Sequence, residues 1–107
     1  MTDTLQWVIA LVVKGEVRIS EHGYDELAAD GIRVRDLAAG IGTAELVEDY
    51  PDFPKGPCVL VLQRDRDGNP VHVLWGVPRG ATGPAVLVTA YRPDPLRWND
   101  DRKRRKE

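Results

Sequence analysis

Apolar residues recur along the chain first at a helical spacing and then at a strand spacing, with the change near residue 43. In "TLQWVIALVVKG", Leu5, Val8, Ile9 and Val12 stand at i, i+3, i+4 and i+7, the stripe of an amphipathic helix, although the β-branched content keeps a strand open as the alternative. Thr2, Asp3 or Thr4 can cap its start and Gly15 its end. "EVRIS" reads as a short extended piece. "SEHGYDELAADGI" reads as a second helix. Ser20 is a good N-cap, Glu21 suits the positive end of the dipole, and Gly31 suits the left-handed position after the last turn. Tyr24, Leu27 and Ala28 are its expected inward residues. Val34, Leu37, Ala38 and Ile41 then repeat the helical spacing, with Gly40 and Gly42 to end it.

Beyond residue 43 the period shortens. "TAELVEDY" has the composition of a short strand. After the proline-rich bend "PDFPKGP", the nearly continuous apolar run "CVLVLQR" predicts a central strand. "DRDGNP" and "PRGATGP" are turn signals. Between them, "VHVLWGV" sets Val71, Val73, Trp75 and Val77 against an outward set containing His72. "AVLVTAYR" sets Val86, Val88, Ala90 and Arg92 against Leu87, Thr89 and Tyr91. Strands joined by such short connections pair antiparallel. The expected fold is therefore α+β: two or three N-terminal helices packed on a twisted antiparallel sheet of three to four strands. A single compact domain over residues 1–98 is expected, followed by a frayed tail over 99–107.

Composition narrows the class without naming a function. The chain has 107 residues, 42% of them hydrophobic and 30% charged, which suits one globular domain with its own core. Its single cysteine, Cys58, excludes an internal disulfide and fits a reducing cytoplasm. The apolar run "WVIALVV" falls far short of the roughly 20 residues that cross a bilayer. Net charge is −2, so the chain as a whole does not attract nucleic acid, yet five consecutive basic residues, Arg102 to Lys106, close an otherwise acidic sequence. With no Cys-x-x-Cys and two histidines fifty residues apart, no metal is expected. No glycine-rich phosphate loop is present, and no cofactor is expected.

Five stretches, "RISEHGYDELAADGI" with the helix after it, "GPCVLVLQRD", "PVHVLWGV" and above all "VLVTAYRPDPLRW", resemble the small bacterial family known as domain of unknown function 4258. The family looks related to the compact RelE/barnase-like RNase-toxin fold. The resemblance implies a toxin-like cytoplasmic protein of a toxin–antitoxin system. It implies metal-independent RNA cleavage as the activity, RNA as a substrate, and a zinc-finger antitoxin as a partner. Family members carry arginines in the helix after the histidine. This chain has Glu26 and Asp30 there, which reverses two charges and weighs against phosphate binding by that helix.

The candidate chemistry follows from residue type. His22, near the start of the second helix, can act as acid or base near neutral pH, with Asp25 or Glu26 in reach to hold its charged form. Arg92, stiffened by Pro93, suits a phosphate and the charge that develops on it; its alternative role is a salt bridge to Asp94 or a helix carboxylate that secures the tail. Tyr91 supports it as a third catalytic candidate. His72, Arg64, Lys55 and Trp98 are substrate-binding candidates, each with a plainer reading. For His72 that reading is a surface or cross-strand histidine, for Lys55 and Arg64 a solvated cation, and for Trp98 a packed anchor. Cys58 reads as an inert small hydrophobe. A nuclease requires His22 and Arg92 to converge within about 10 Å. The rival reading, a non-catalytic protein-binding module, draws on the acidic net charge and on Glu26 and Asp30.

Overall fold

A computed structural model describes residues 3–94, 96, 98–99 and 104–105, the last four by backbone alone. The elements in chain order are α1 (Asp3–Val13), β1 (Val17–Ile19), α2 (Glu21–Asp30), α3 (Val34–Ala39), a 3₁₀ turn (Ile41–Thr43), β2 (Glu45–Tyr50), β3 (Cys58–Arg64), β4 (Pro70–Gly76) and β5 (Ala85–Tyr91). Two further short strands, β6 (Trp98–Asn99) and β7 (Arg104–Arg105), pair antiparallel with each other. The α+β class holds, but the main sheet has five strands in the order β1-β5-β4-β3-β2. β1 also separates α1 from α2, so the helices are not one N-terminal block.

The fifth strand is "EVRIS". It lies parallel to β5, with Val17 opposite Ala85 and Ile19 opposite Leu87, so the sheet is mixed and not purely antiparallel. Antiparallel pairing of consecutive strands holds from β2 to β5. The expectation failed at β1 because a three-residue strand has too few residues to show a period, and its partner lies far off in sequence.

All three helices pack on one face of the sheet. Leu5, Val8, Leu11 and Val12 of α1, Leu27 of α2 and Leu37 of α3 share a single cluster with Val59, Val61, Val71, Val73, Trp75 and Leu87. Burying each such side chain contributes roughly 1.5–3 kcal/mol before the entropy of ordering it is subtracted. Two polar side chains join the layers inside this core. The Trp75 indole N–H donates to Gln63 Oε1 (2.8 Å), and Gln63 Nε2 donates to the Leu37 carbonyl of α3 (2.8 Å).

The caps of α2 fall where its sequence places them. Ser20 Oγ accepts from the Gly23 amide, and Gly31 ends the helix in the left-handed region at φ 64°. The inward line does not. Gly23 and Leu27 are buried, whereas Tyr24 is 61% exposed and Ala28 lies at the surface. The cause is Gly23: a side chain there would stand 2.8 Å from the Leu87 carbonyl oxygen, so the helix seats its glycine on β5 and rotates Tyr24 outward.

A bulge between Leu74 and Trp75 disturbs the alternation of β5. Leu87 and Ala90, three residues apart, both enter the helix-side core, where strict alternation would have put Ala90 with Val86. The carbonyls at the bulge are engaged by the α2 cap. Ser20 N donates to Leu87 O (3.0 Å) and Ser20 Oγ donates to Val88 O (2.7 Å). No helix among the described residues is long and apolar enough to cross a membrane.

Candidate functional site

The face of the sheet away from the helices carries a groove. Its floor runs across three strands in one register, Cys58 of β3 opposite Gly76 of β4 opposite Val86 of β5. These are small side chains or none at all, so the surface dips there. Leu74 and Phe53 form apolar walls, and Arg18 of β1 and Lys55 of the bend stand at the rim, around a volume of about 390 Å³. A second depression of about 280 Å³ continues from it toward Tyr50, Thr89 and Tyr91. The bend before β3 is held against the end of β4: Val77 N donates to Pro57 O (3.1 Å) and Arg79 N to Lys55 O (2.9 Å). Gly56 makes this approach possible. It sits at φ 132°, and a side chain there would meet the Val77 carbonyl oxygen at 2.0 Å. Burial, followed by the Asp49 carboxylate, pushes the Cys58 thiol above its ordinary value, which leaves it protonated and unreactive at neutral pH.

Of the residues singled out in the sequence for chemistry, Lys55 borders this groove and Tyr91 lines the depression that continues it; the other described ones stand apart. His22 stands on the outer surface of α2, its side chain 67% exposed, with Nε2 3.7 Å from Glu26 Oε1. Arg92 lies at the other end of that helix. Its backbone N–H donates to Asp30 Oδ2 (3.2 Å), and its Nε donates to the Asp30 carbonyl (3.3 Å). Its Nη2 lies 3.0 Å from Asp65 Oδ2. Residues 22 and 30 are separated by about 12 Å along the helix axis, and no described contact joins His22 to Arg92. The Arg92 guanidinium therefore pairs with a turn carboxylate, Asp65, and with a helix carbonyl, and its salt bridge goes neither to Asp94 nor to a helix carboxylate.

His72 faces away from the helices as its strand position requires, but it is fully buried and not a surface residue. Its Nδ1 lies 3.2 Å from the Tyr91 hydroxyl, with the two rings edge to face at 5.3 Å. The pairing follows from register, since His72 stands opposite Tyr91 across β4 and β5. Arg64 is exposed and donates to the Gly68 carbonyl in its own turn (3.2 Å). The Trp98 side chain, Arg97 and most of the basic tail lie outside the described residues. Among the described residues no cluster of histidine, cysteine and carboxylate side chains can hold a metal.

Arg18, Phe53, Leu74 and Gly76 escaped the sequence reading. Gly76 carried a usable signal, because a glycine inside an apolar strand marks a place left open or closely approached. Arg18 carried none, since its position depends on β1 joining β5. No curated protein and no solved structure matches the chain. The model of the family described as a domain of unknown function (DUF4258) matches residues 19–92, which takes in α2, α3 and strands β2 to β5, and the chain belongs to that family.

Proposed function

We propose that the chain is a non-catalytic binding module that receives a partner protein on the face of its sheet opposite the helices. The observation that carries this reading is the groove over Cys58, Gly76 and Val86, an apolar depression on the side of the sheet that the helices leave uncovered. Sites that bind by burial are concave and largely apolar, with a few polar groups that set orientation; Arg18 and Lys55 supply those here. General acid–base catalysis needs a proton carrier and a charge-stabilising group around one reacting atom. His22 is a surface residue at one end of α2, Arg92 is occupied by Asp65 and Asp30 at the other, and His72 is sealed from solvent.

One observation favours a second reading. Arg18 and Lys55 are two cations at one rim, a pairing that also suits a phosphate. On that reading the chain is a toxin-like endoribonuclease, with RNA as substrate and a zinc-finger antitoxin as partner, and the groove replaces the His22–Arg92 pair as its site. Incubation of the purified chain with RNA, with and without chelator, decides between them. The module leaves RNA intact in every lane, including His22→Ala and Arg18→Ala/Lys55→Ala. Cleavage by the wild type that disappears in the double variant overturns the module reading and establishes the nuclease.

A further inference from the structure

Among the described strands β1 has a neighbour on one side only. Glu16 O accepts from Ala85 N (2.9 Å) and Ser20 N donates to Leu87 O (3.0 Å), so residues 16, 18 and 20 turn their backbone groups toward β5. Backbone direction alternates along a strand. Val17 and Ile19 therefore turn their N–H and C=O groups to the opposite side, away from the sheet. They form a short edge with two donors and two acceptors, and β1 is paired only with β5 among the described strands.

Beside this edge lies a depression of about 580 Å³, lined by Val12, Ile19, Tyr24, Val34 and Ala38, with Arg18 and Arg35 at its border. An added strand sends alternate side chains to opposite faces. One set would enter this apolar depression and the other would lie alongside Arg18. Neither Arg18 nor Arg35 has a carboxylate partner among the described residues. Two unpaired guanidinium groups beside an apolar recess in a chain of net charge −2 are complementary to carboxylates. The same charges argue against a second copy of this chain. In an antiparallel β1–β1 pair centred on the middle residue, Arg18 would face Arg18, and like charges directly opposite each other destabilise a strand pair.

We propose that the β1 edge accepts an extended segment of a partner protein in which apolar residues alternate with acidic ones. The segment would extend the sheet by one strand, the mode in which main-chain bonds give affinity and alternate pockets give specificity. This rests on the binding-module reading, and it uses a surface separate from the groove except where Arg18 borders both.

The test uses the full chain and two soluble hexapeptides, one alternating glutamate with valine and one alternating lysine with valine, followed by fluorescence anisotropy and amide hydrogen exchange. The glutamate peptide is expected to bind at least tenfold more tightly. The Val17 and Ile19 amides should exchange freely in the unbound chain and slow at least tenfold in the complex. The surface variant Arg18→Glu/Arg35→Glu should reverse the preference while keeping the melting temperature. Equal affinity for the two peptides, protection of both amides in the unbound chain, or concentration-dependent self-association through β1 would each overturn the proposal. RNA cleavage would defeat the module reading while leaving the peptide result in place. Intact RNA with no peptide discrimination defeats the edge alone.

Discussion

Asp65 holds more partners than a hairpin turn requires. Its Oδ1 accepts the amides of Asp67 and Asn69 (2.9 Å each) while Oδ2 meets Arg92, and its side chain is only 7% exposed. Burial alone would push the carboxyl up. The Asn69 amide, the Arg92 guanidinium and the Asp67 amide outweigh it, and the group is held below its ordinary value. A carboxyl with a depressed folded-state pKa adds stability above its unfolded value, near 3.9, and that stability is lost as pH falls through the folded value. Asp65→Asn is therefore expected to cost about 1–2 kcal/mol at pH 7, by analogy with other hydrogen bonds to charged groups, with the difference from wild type shrinking as pH falls below the unfolded value and through the lower folded one. Urea midpoints across that range check it. A difference that persists at low pH would show that charge is not the cause. At this scale the sequence was partly legible: Gly68 and Asn69 marked the turn, but nothing local tied Asp65 to Arg92 at the end of β5.

At the scale of elements, the contact between α2 and β5 rests on an absent side chain. Gly23 lies in the helix interior, where alanine is favoured by up to about 1 kcal/mol in an isolated helix. Gly23→Ala is nonetheless expected to destabilise the fold by about 1–3 kcal/mol, the usual cost of overpacking, because the new methyl meets the Leu87 carbonyl and the Ile19 side chain. Chemical denaturation measures it. An unchanged or raised midpoint would mean that α2 lifts from the sheet without cost. Helix caps and the strands from β2 to β5 could be read in advance because they are set by local chemistry, such as Ser20, Gly31 and the proline-rich bend. The inward line of α2 could not, since it depends on how closely two backbones approach. The candidate site was less legible still: of the residues named for chemistry, Lys55 lies at the groove and Tyr91 at its continuation, while His22 and Arg92, paired by resemblance to a family, lie elsewhere.

Across the whole molecule, Gln63 joins the layers. It receives the Trp75 indole from β4 and donates to the end of α3, with no more than 3% of its surface exposed. Gln63→Leu keeps the volume but leaves the indole N–H and the Leu37 carbonyl without this partner, and each buried orphan costs about 1–3 kcal/mol. A loss of about 2–4 kcal/mol in urea-induced unfolding, with an unchanged slope, is expected. A loss within half a kcal/mol would show that water or backbone movement satisfies both groups. The parallel pairing of β1 with β5 has a different reach. The contacts between Ser20 and Val88 span 68 residues of chain. A ribosome adds about 5–20 residues per second, so the first strand waits roughly 3 to 14 s for its neighbour to be made. Throughout that interval the oily flank of α1 has no complete sheet to receive it, and it stands open to capture by chaperones or by other unfinished chains.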